Sequence, residues 1–294
     1  MNKGVLYTLI AYGLWGFNPI YFKLLQDVSP LQIMSHRVVW SFILLLVLLL
    51  LRREISALIA AARLRVLLIY LGTGVLLAVN WLIYVWVVNS GHVVEGSLGY
   101  FINPLVSVVL GLVFLKEKLR PVQWLPVGLA VCGVVYLTVS YGTVPWSSLA
   151  LAFTFGFYGL MKKIAPLGSL HGLSLETALV LPPVLVYLLV IGSRGESAFT
   201  QGGFATALLL VGCGAVTVIP LLMFAHGAHR VPLTTMGLLM YITPTIQFLT
   251  GVFLYHEPFD LNRAIGFAII WLALIIFSVD GIYTSRRSWA SSAV

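Results

Sequence analysis

Residues 103–117 read NPLVSVVLGLVFLKE and residues 243–257 read TPTIQFLTGVFLYHE, so that Pro104, Gly111 and Glu117 recur as Pro244, Gly251 and Glu257, each displaced by 140 positions. Asn103 meets Thr243 at the same displacement. Nearer the start of each half, Gly13-Leu14-Trp15-Gly16 matches Gly156-Phe157-Tyr158-Gly159 at a displacement of 143, and Gly128 matches Gly266 at 138. Glycines and aromatics are common in apolar helices, so one match carries little. Three anchors in one order at a nearly constant offset describe a duplicated unit, with its boundary near Ser140–Pro145.

The medium follows from composition. The chain has 294 residues, 60% hydrophobic and only 9% charged, with a mean hydropathy of +1.03. Soluble domains carry about 25% charged residues, enough to clothe a water-facing surface. This chain cannot do so. A soluble enzyme, a DNA-binding module and a disordered scaffold are excluded, and the +8 net charge points to no nucleic acid. The partner it implies is a lipid bilayer.

A helix crosses the hydrocarbon in about 20 residues. Apolar runs of that order stand at 4–22, 31–51, 65–88, 92–114, 121–139, 146–161, 174–192, 203–224, 231–254 and 264–283. Five runs per copy is an odd number, so the second copy enters the bilayer upside down. The expected fold is an all-α membrane protein of ten transmembrane helices, in two inverted five-helix repeats spanning 1–140 and 145–287. The first run follows Lys3 with no small-residue cleavage pattern, and reads as a retained span.

Basic residues orient the chain. Lys3, Arg52, Arg53, Arg63, Arg65, Lys116, Lys118, Arg120, Lys162, Lys163, Arg230, Arg286 and Arg287 fall on one side, against Lys23, Arg194 and Arg263 on the other. The positive-inside rule then puts both termini in the cytoplasm. Inverted repeats meeting at a midplane site are the design of many secondary transporters.

The candidate site lies on the faces that the two copies share. On span four, Gly96, Tyr100, Asn103, Ser107 and Gly111 share one side at helical spacing. Met240, Thr243, Gln247 and Gly251 repeat the last four on span nine. Pro104 and Pro244, with Pro19 and Pro220, each remove a backbone hydrogen bond mid-span and predict kinks. An ionisable group in hydrocarbon costs at least ~2.5 kcal/mol on insertion scales and needs a reason to be there. His36 and Arg37 sit roughly 9 Å deep in span two at 1.5 Å per residue. Glu95 stands at similar depth in span four, and an Arg37–Glu95 pair is expected. Asn80, Trp81 and Tyr84 on span three complete the wall. Trp15, Trp81, Tyr100 and Tyr241 would give apolar contact to a small-molecule solute, and His36, Arg37, Asn80, Asn103 and Gln247 polar recognition.

Other groups read as structural. Glu176 is expected near water at the cytoplasmic end of span seven. Lys23, Asp27 and Asp280 read as solvated ends, and Glu117 and Glu257 as caps or interfacial partners of Lys116, Lys118 or Arg263. Cys132 and Cys213 behave as small buried hydrophobes. His226 and His229 lack further ligands at metal-binding spacing, and no G-x-x-x-x-G-K-[ST] phosphate loop is present. No metal or cofactor is expected.

The run Glu95-Gly96-Ser97-Leu98-Gly99-Tyr100-Phe101-Ile102-Asn103-Pro104 resembles the RarD family of EamA-type carriers in the drug/metabolite transporter superfamily. So do His36-Arg37-Val38, Asn80-Trp81, Tyr241-Ile242-Thr243-Pro244-Thr245 and Ile282-Tyr283-Thr284, and the likeness runs over about residues 3–287. The resemblance implies a ten-helix carrier of the bacterial inner membrane with two inverted EamA repeats around a central cavity. Lys116-Glu117 and His256-Glu257 depart from the Gly-Glu frequent there, and Thr243 replaces a frequent glycine. The expected activity is export of a small metabolite or drug-like solute by alternating access, with protons as a possible coupling ion through Glu95 or His36. A membrane enzyme built on His92 and Ser97 fails because the two lie five apart on one helix, on different faces. A receptor or assembly factor without transport activity is the alternative.

Overall fold

The computed structural model describes residues 3–89, 93–141, 146–254 and 261–291, with backbone alone at 88–89, 93–98, 141, 248, 251–252, 263, 267, 274, 278 and 281–291. The described residues form helices and connecting turns, without strands. The helices are α1 (Lys3–Gly16), α2 (Asn18–Lys23), α3 (Pro30–Arg52), α4 (Ile55–Ala61), α5 (Leu64–Asn89), α6 (Val93–Phe114) and α7 (Trp124–Tyr141). They continue as α8 (Trp146–Ile164), α9 (Ser169–Ser193), α10 (Ala198–Gln201), α11 (Gly203–Ala228), α12 (Leu233–Leu239), α13 (Ile242–Phe253) and α14 (Leu261–Ser291).

Five helical segments are long and apolar enough to cross a membrane: those of α3, α5, α9 and α11, and Pro121–Ser140, which enters α7 through a short 3-10 turn over Pro121–Gln123. Their outward faces carry exposed Leu51, Leu68, Val135, Leu189 and Leu208. A water-soluble chain would not leave so much apolar surface uncovered. This is a multi-pass membrane protein.

Two of the expected spans are broken, for a local reason. Pro19 cannot donate to the carbonyl of Trp15, and Phe17 separates α1 from α2 with three-residue turns, Phe17 N to Leu14 O and Ile20 N to Phe17 O, both 3.1 Å. Pro244 likewise frees the carbonyl of Met240, which takes the Thr243 N–H at 3.0 Å instead, and the chain breaks between α12 and α13. Pro104 and Pro220 stay inside α6 and α11.

Lipid tails are as apolar as leucine, so helices in a bilayer associate through close packing and small residues. The principal contacts run between the two halves of the chain: α6 packs on α8 and α12, α5 on α8 and α9, α3 on α9 and α11, α1 on α11 and α13, and α7 on α14. Glycine sets the approach. A Cβ at Gly214 would stand 2.7 Å from the Trp40 carbonyl, and one at Gly237 2.6 Å from the Pro104 carbonyl oxygen. Neither neighbour is a flexible side chain that could swing away.

Charges meet the same demand for partners. Lys162 and Glu176 are each 2% exposed and pair at 2.9 Å across α8 and α9. Thr73 of α5 donates to Glu176 Oε1 at 2.7 Å, and the Tyr158 hydroxyl reaches Oε2 at 3.4 Å. The expectation of a water-facing Glu176 is thus corrected: α8 runs on to Ile164, three residues past the predicted span, and carries Lys162 into the bundle beside it. Asp280 is no solvated end either, since its carboxylate takes the Arg120 guanidinium. Glu117 does cap a helix, but that of α12: its oxygens accept Leu233 N at 2.8 Å and Thr234 N at 3.0 Å, with Lys163 at 3.9 Å. A carboxylate there answers the free N–H groups and dipole of the helix start. Glu257 lies outside the described residues.

Two outcomes test this packing in detergent-solubilised protein. Gly214→Val lowers stability by about 1–3 kcal/mol or more through overpacking, whereas Gly128→Ala, with no atom within 4 Å of the new Cβ, holds or gains. Lys162→Met alone costs about 3–5 kcal/mol by leaving a buried charge unpaired, and Lys162→Met with Glu176→Gln recovers most of that loss. Unfolding midpoints read both.

Candidate solute-binding site

A cavity of ≈ 50 Å³ opens where the α1–α2 and α12–α13 breaks face each other. Trp15 and Asn18 come from the first break and Met240 and Thr243 from the second. The early turns of α3 supply Arg37, the later turns of α5 supply Asn80, Trp81 and Tyr84, and α6 supplies Gly99, Tyr100 and Asn103. Phe22, Leu151 and Phe155 close it. Solute pockets run to about 300–1,000 Å³, so this one, as it stands, holds a few waters and not a drug-sized molecule.

A wider vestibule of ≈ 490 Å³ opens at the other end of the same helices, beside Tyr7, Arg52, Glu54, His171 and His226. Glu54 and His171 pair there at 3.0 Å. Along α1 the vestibule reaches Tyr7 and the cavity begins at Trp15; along α3 they are separated by Ser41, Leu44 and Leu45. The intervening layer is aromatic. Trp15 lies 5.5 Å from both Phe155 and Phe224, Phe155 lies 5.4 Å from Phe224, and Tyr158 stacks on Phe224 at 5.9 Å. Tyr12 joins at 5.8 Å from Trp15. The open central void expected from the family is instead a plug with a small cavity on one side.

Arg37 is the charged group of the cavity. It is 4% exposed, donates from Nε to Thr217 Oγ1 at 3.1 Å, and lays its guanidinium 4.1 Å from the Trp81 ring and 5.0 Å from the Phe22 ring. Among the described residues no carboxylate pairs with it. The side chain of the expected partner, Glu95, lies outside the described residues, as does His92. Asn80 donates its amide to Leu151 O and Thr154 Oγ1, both at 2.9 Å, and keeps its carbonyl oxygen for another donor. Asn103 accepts from Ser107 at 3.4 Å and keeps its NH2.

Six expected residues therefore line one cavity: Trp15, Arg37, Asn80, Trp81, Tyr100 and Asn103. Three others do not. His36 is one residue, or about 100° of helix, from Arg37; its ring turns away and stacks on Phe199 at 5.3 Å. Tyr241 is fully buried against Phe101 at 6.4 Å, on the face opposite to Met240 and Thr243. Gln247 donates to the Trp15 carbonyl at 3.4 Å, the oxygen that Pro19 frees, so it repairs the α1–α2 break. Asn18, Phe22 and Phe155 were not expected; the break at Phe17 and the second-half helix α8 bring them in.

Residues 2–139 match the EamA-like transporter family. An uncharacterized transporter, YojE, of Bacillus subtilis is 44% identical over 98% of this chain and 97% of its own. Protein RarD of Streptomyces exfoliatus is 46% identical over 98% and 92%, and a chloramphenicol-sensitive protein RarD of Pseudomonas aeruginosa 30% over 97% of each. A solved crystal structure at 18% identity superposes with a TM-score of 0.69 over 93% of this chain and 96% of the other, which shows a shared fold. The chain belongs to the RarD group of the EamA-like transporter family.

Proposed function

We propose that the chain is a secondary transporter whose halves, 1–140 and 145–287, are inverted copies that expose the Arg37 cavity alternately to the two sides of a bacterial inner membrane. The aromatic plug is the observation that carries this. It is built from positions matched by the internal repeat, Tyr12 and Trp15 in one half and Phe155 and Tyr158 in the other, each displaced by 143. A barrier to which both halves contribute equivalent residues suits exchange between two states related by a pseudo-two-fold axis.

Helix packing supports the same reading. Counting α1–α2 as the first span and α12–α13 as the ninth, exchanging every span with the one five places on maps the principal contacts onto one another. The pair α5·α8 becomes α11·α1, α5·α9 becomes α11·α3, and α6·α8 becomes α13·α1; α3·α9, α7·α14 and α6·α12 map onto themselves. The spread of Lys and Arg supports termini on the cytoplasmic side.

The solute is a small metabolite or drug-like molecule that enters when the aromatic walls part. Coupling to protons, in this scheme, falls to Glu95, since the His36 ring faces Phe199. Flux into vesicles reconstituted with purified protein, using solutes first found by thermal shift, is the test. Saturable uptake or efflux that Trp15→Ala alters supports the transporter; saturable binding with no net movement across a sealed membrane favours the receptor alternative. A pH gradient that drives flux in wild type and not in Glu95→Gln identifies the coupling ion, and the sign of that flux gives the direction.

A further inference from the structure

We infer that the cavity takes a small organic anion, a carboxylate on a flat apolar body, with Arg37 as its counter-charge; this deepens the transporter reading and rests on it. A guanidinium carries five N–H donors. Among the described residues one is used, by Thr217. The planes of Trp81 and Phe22 stabilise the cation but accept no conventional hydrogen bond.

The other half of the chain shows what a satisfied charge looks like at the equivalent place. Ser35 and Ser174 each donate to the carbonyl four residues back, Leu31 at 2.7 Å and Leu170 at 2.8 Å. At that displacement of 139, Arg37 of α3 corresponds to Glu176 of α9. Each takes a threonine hydroxyl from the matching helix, Thr217 of α11 or Thr73 of α5. Glu176 also has Lys162, at 2.9 Å. Among the described residues, Arg37 faces a cavity where Glu176 faces an opposite charge.

The rest of the lining agrees. Asn103 turns a free NH2 to the same cavity and Asn80 a free carbonyl oxygen. With the unused guanidinium N–H groups counted, donors outnumber acceptors among the described residues, and the site asks for an acceptor-rich group. A carboxylate meets a guanidinium through two parallel hydrogen bonds. Trp15, Phe22, Trp81, Tyr84, Tyr100 and Phe155 surround it with ring faces and edges suited to a planar body. The ≈ 50 Å³ present admits the carboxylate end, and the body follows as the aromatic walls open.

The test uses the full chain in lipid nanodiscs at about pH 7, where a carboxylic acid is ionised. Phenylacetate, its amide phenylacetamide and the cation phenethylammonium are titrated by calorimetry, with quenching of tryptophan fluorescence as a second readout. Wild type binds phenylacetate saturably and at least about tenfold more tightly than either other probe. Arg37→Lys keeps part of that preference. Arg37→Gln loses it, the acid then binding no more tightly than the amide. Equal affinity for acid and amide in wild type, no saturable binding of phenylacetate at about 10 mM, or an undiminished preference in Arg37→Gln overturns the inference. The wild-type comparison needs no variant to fold. Preference for the acid without flux in vesicles supports the inference and sinks the transporter reading; flux of neutral solutes without that preference does the reverse.

Discussion

Backbone-to-backbone approach at glycine is what the rest of this structure depends on. With no water to expel from between apolar helices in a bilayer, contact at short range has to supply the cohesion. Gly214 lets α11 lie against the Trp40 carbonyl of α3, and Gly237 lets α12 lie against the Pro104 carbonyl of α6. Both contacts join one half of the chain to the other. The first brings Thr217 to Arg37, and a third approach, at Gly74, where a Cβ would stand 3.1 Å from the Glu176 carbonyl oxygen, brings α5 and its Thr73 to Glu176. The cavity lies where such closure fails, between the two proline-linked breaks, so the breaks and the crossings are complementary parts of one design.

Much of the fold was legible because it rests on local chemistry. Each apolar run became helix, and Pro19 and Pro244 mark breaks where a missing N–H leaves a carbonyl without its donor. The residues that carried the sequence match, Trp15 and Tyr158, stand with Tyr12 and Phe155 in the plug. Depth along a helix was readable too, which is why Arg37, Asn80, Trp81, Tyr100 and Asn103 were brought together from three helices.

Rotation around a helix was not readable to the same degree. His36 and Tyr241 have the right depth and the wrong azimuth, and the turn at Met240–Tyr241 resets the face count that worked on α6. Partner choice across the bundle was beyond a linear reading altogether. Lys162 passed for a loop charge and Glu176 for a wetted end because each is alone in its own stretch of sequence; their pairing exists only once α8 packs beside α9. Gln247 looked like a recognition group and instead supplies the donor that Pro19 withholds, a role that appears only when α13 meets α1.

Under the proposed inverted repeat, the two halves differ in charge while sharing a pattern of packing. An acid with its own lysine on one side and an arginine facing a cavity on the other would make the proposed states unequal in chemistry, although matched in packing. The exchange itself is the central claim, and distances measured between spin labels test it most directly. With Cys132 and Cys213 replaced, one pair of labels at Leu24 and Trp146 reports the cavity side, and a second pair at Arg53 and Arg230 the vestibule side. The account predicts two distance populations in each pair, shifting in opposite directions when solute is added, so that one side closes as the other opens. A single invariant distance on both sides, or both sides widening together, would contradict it.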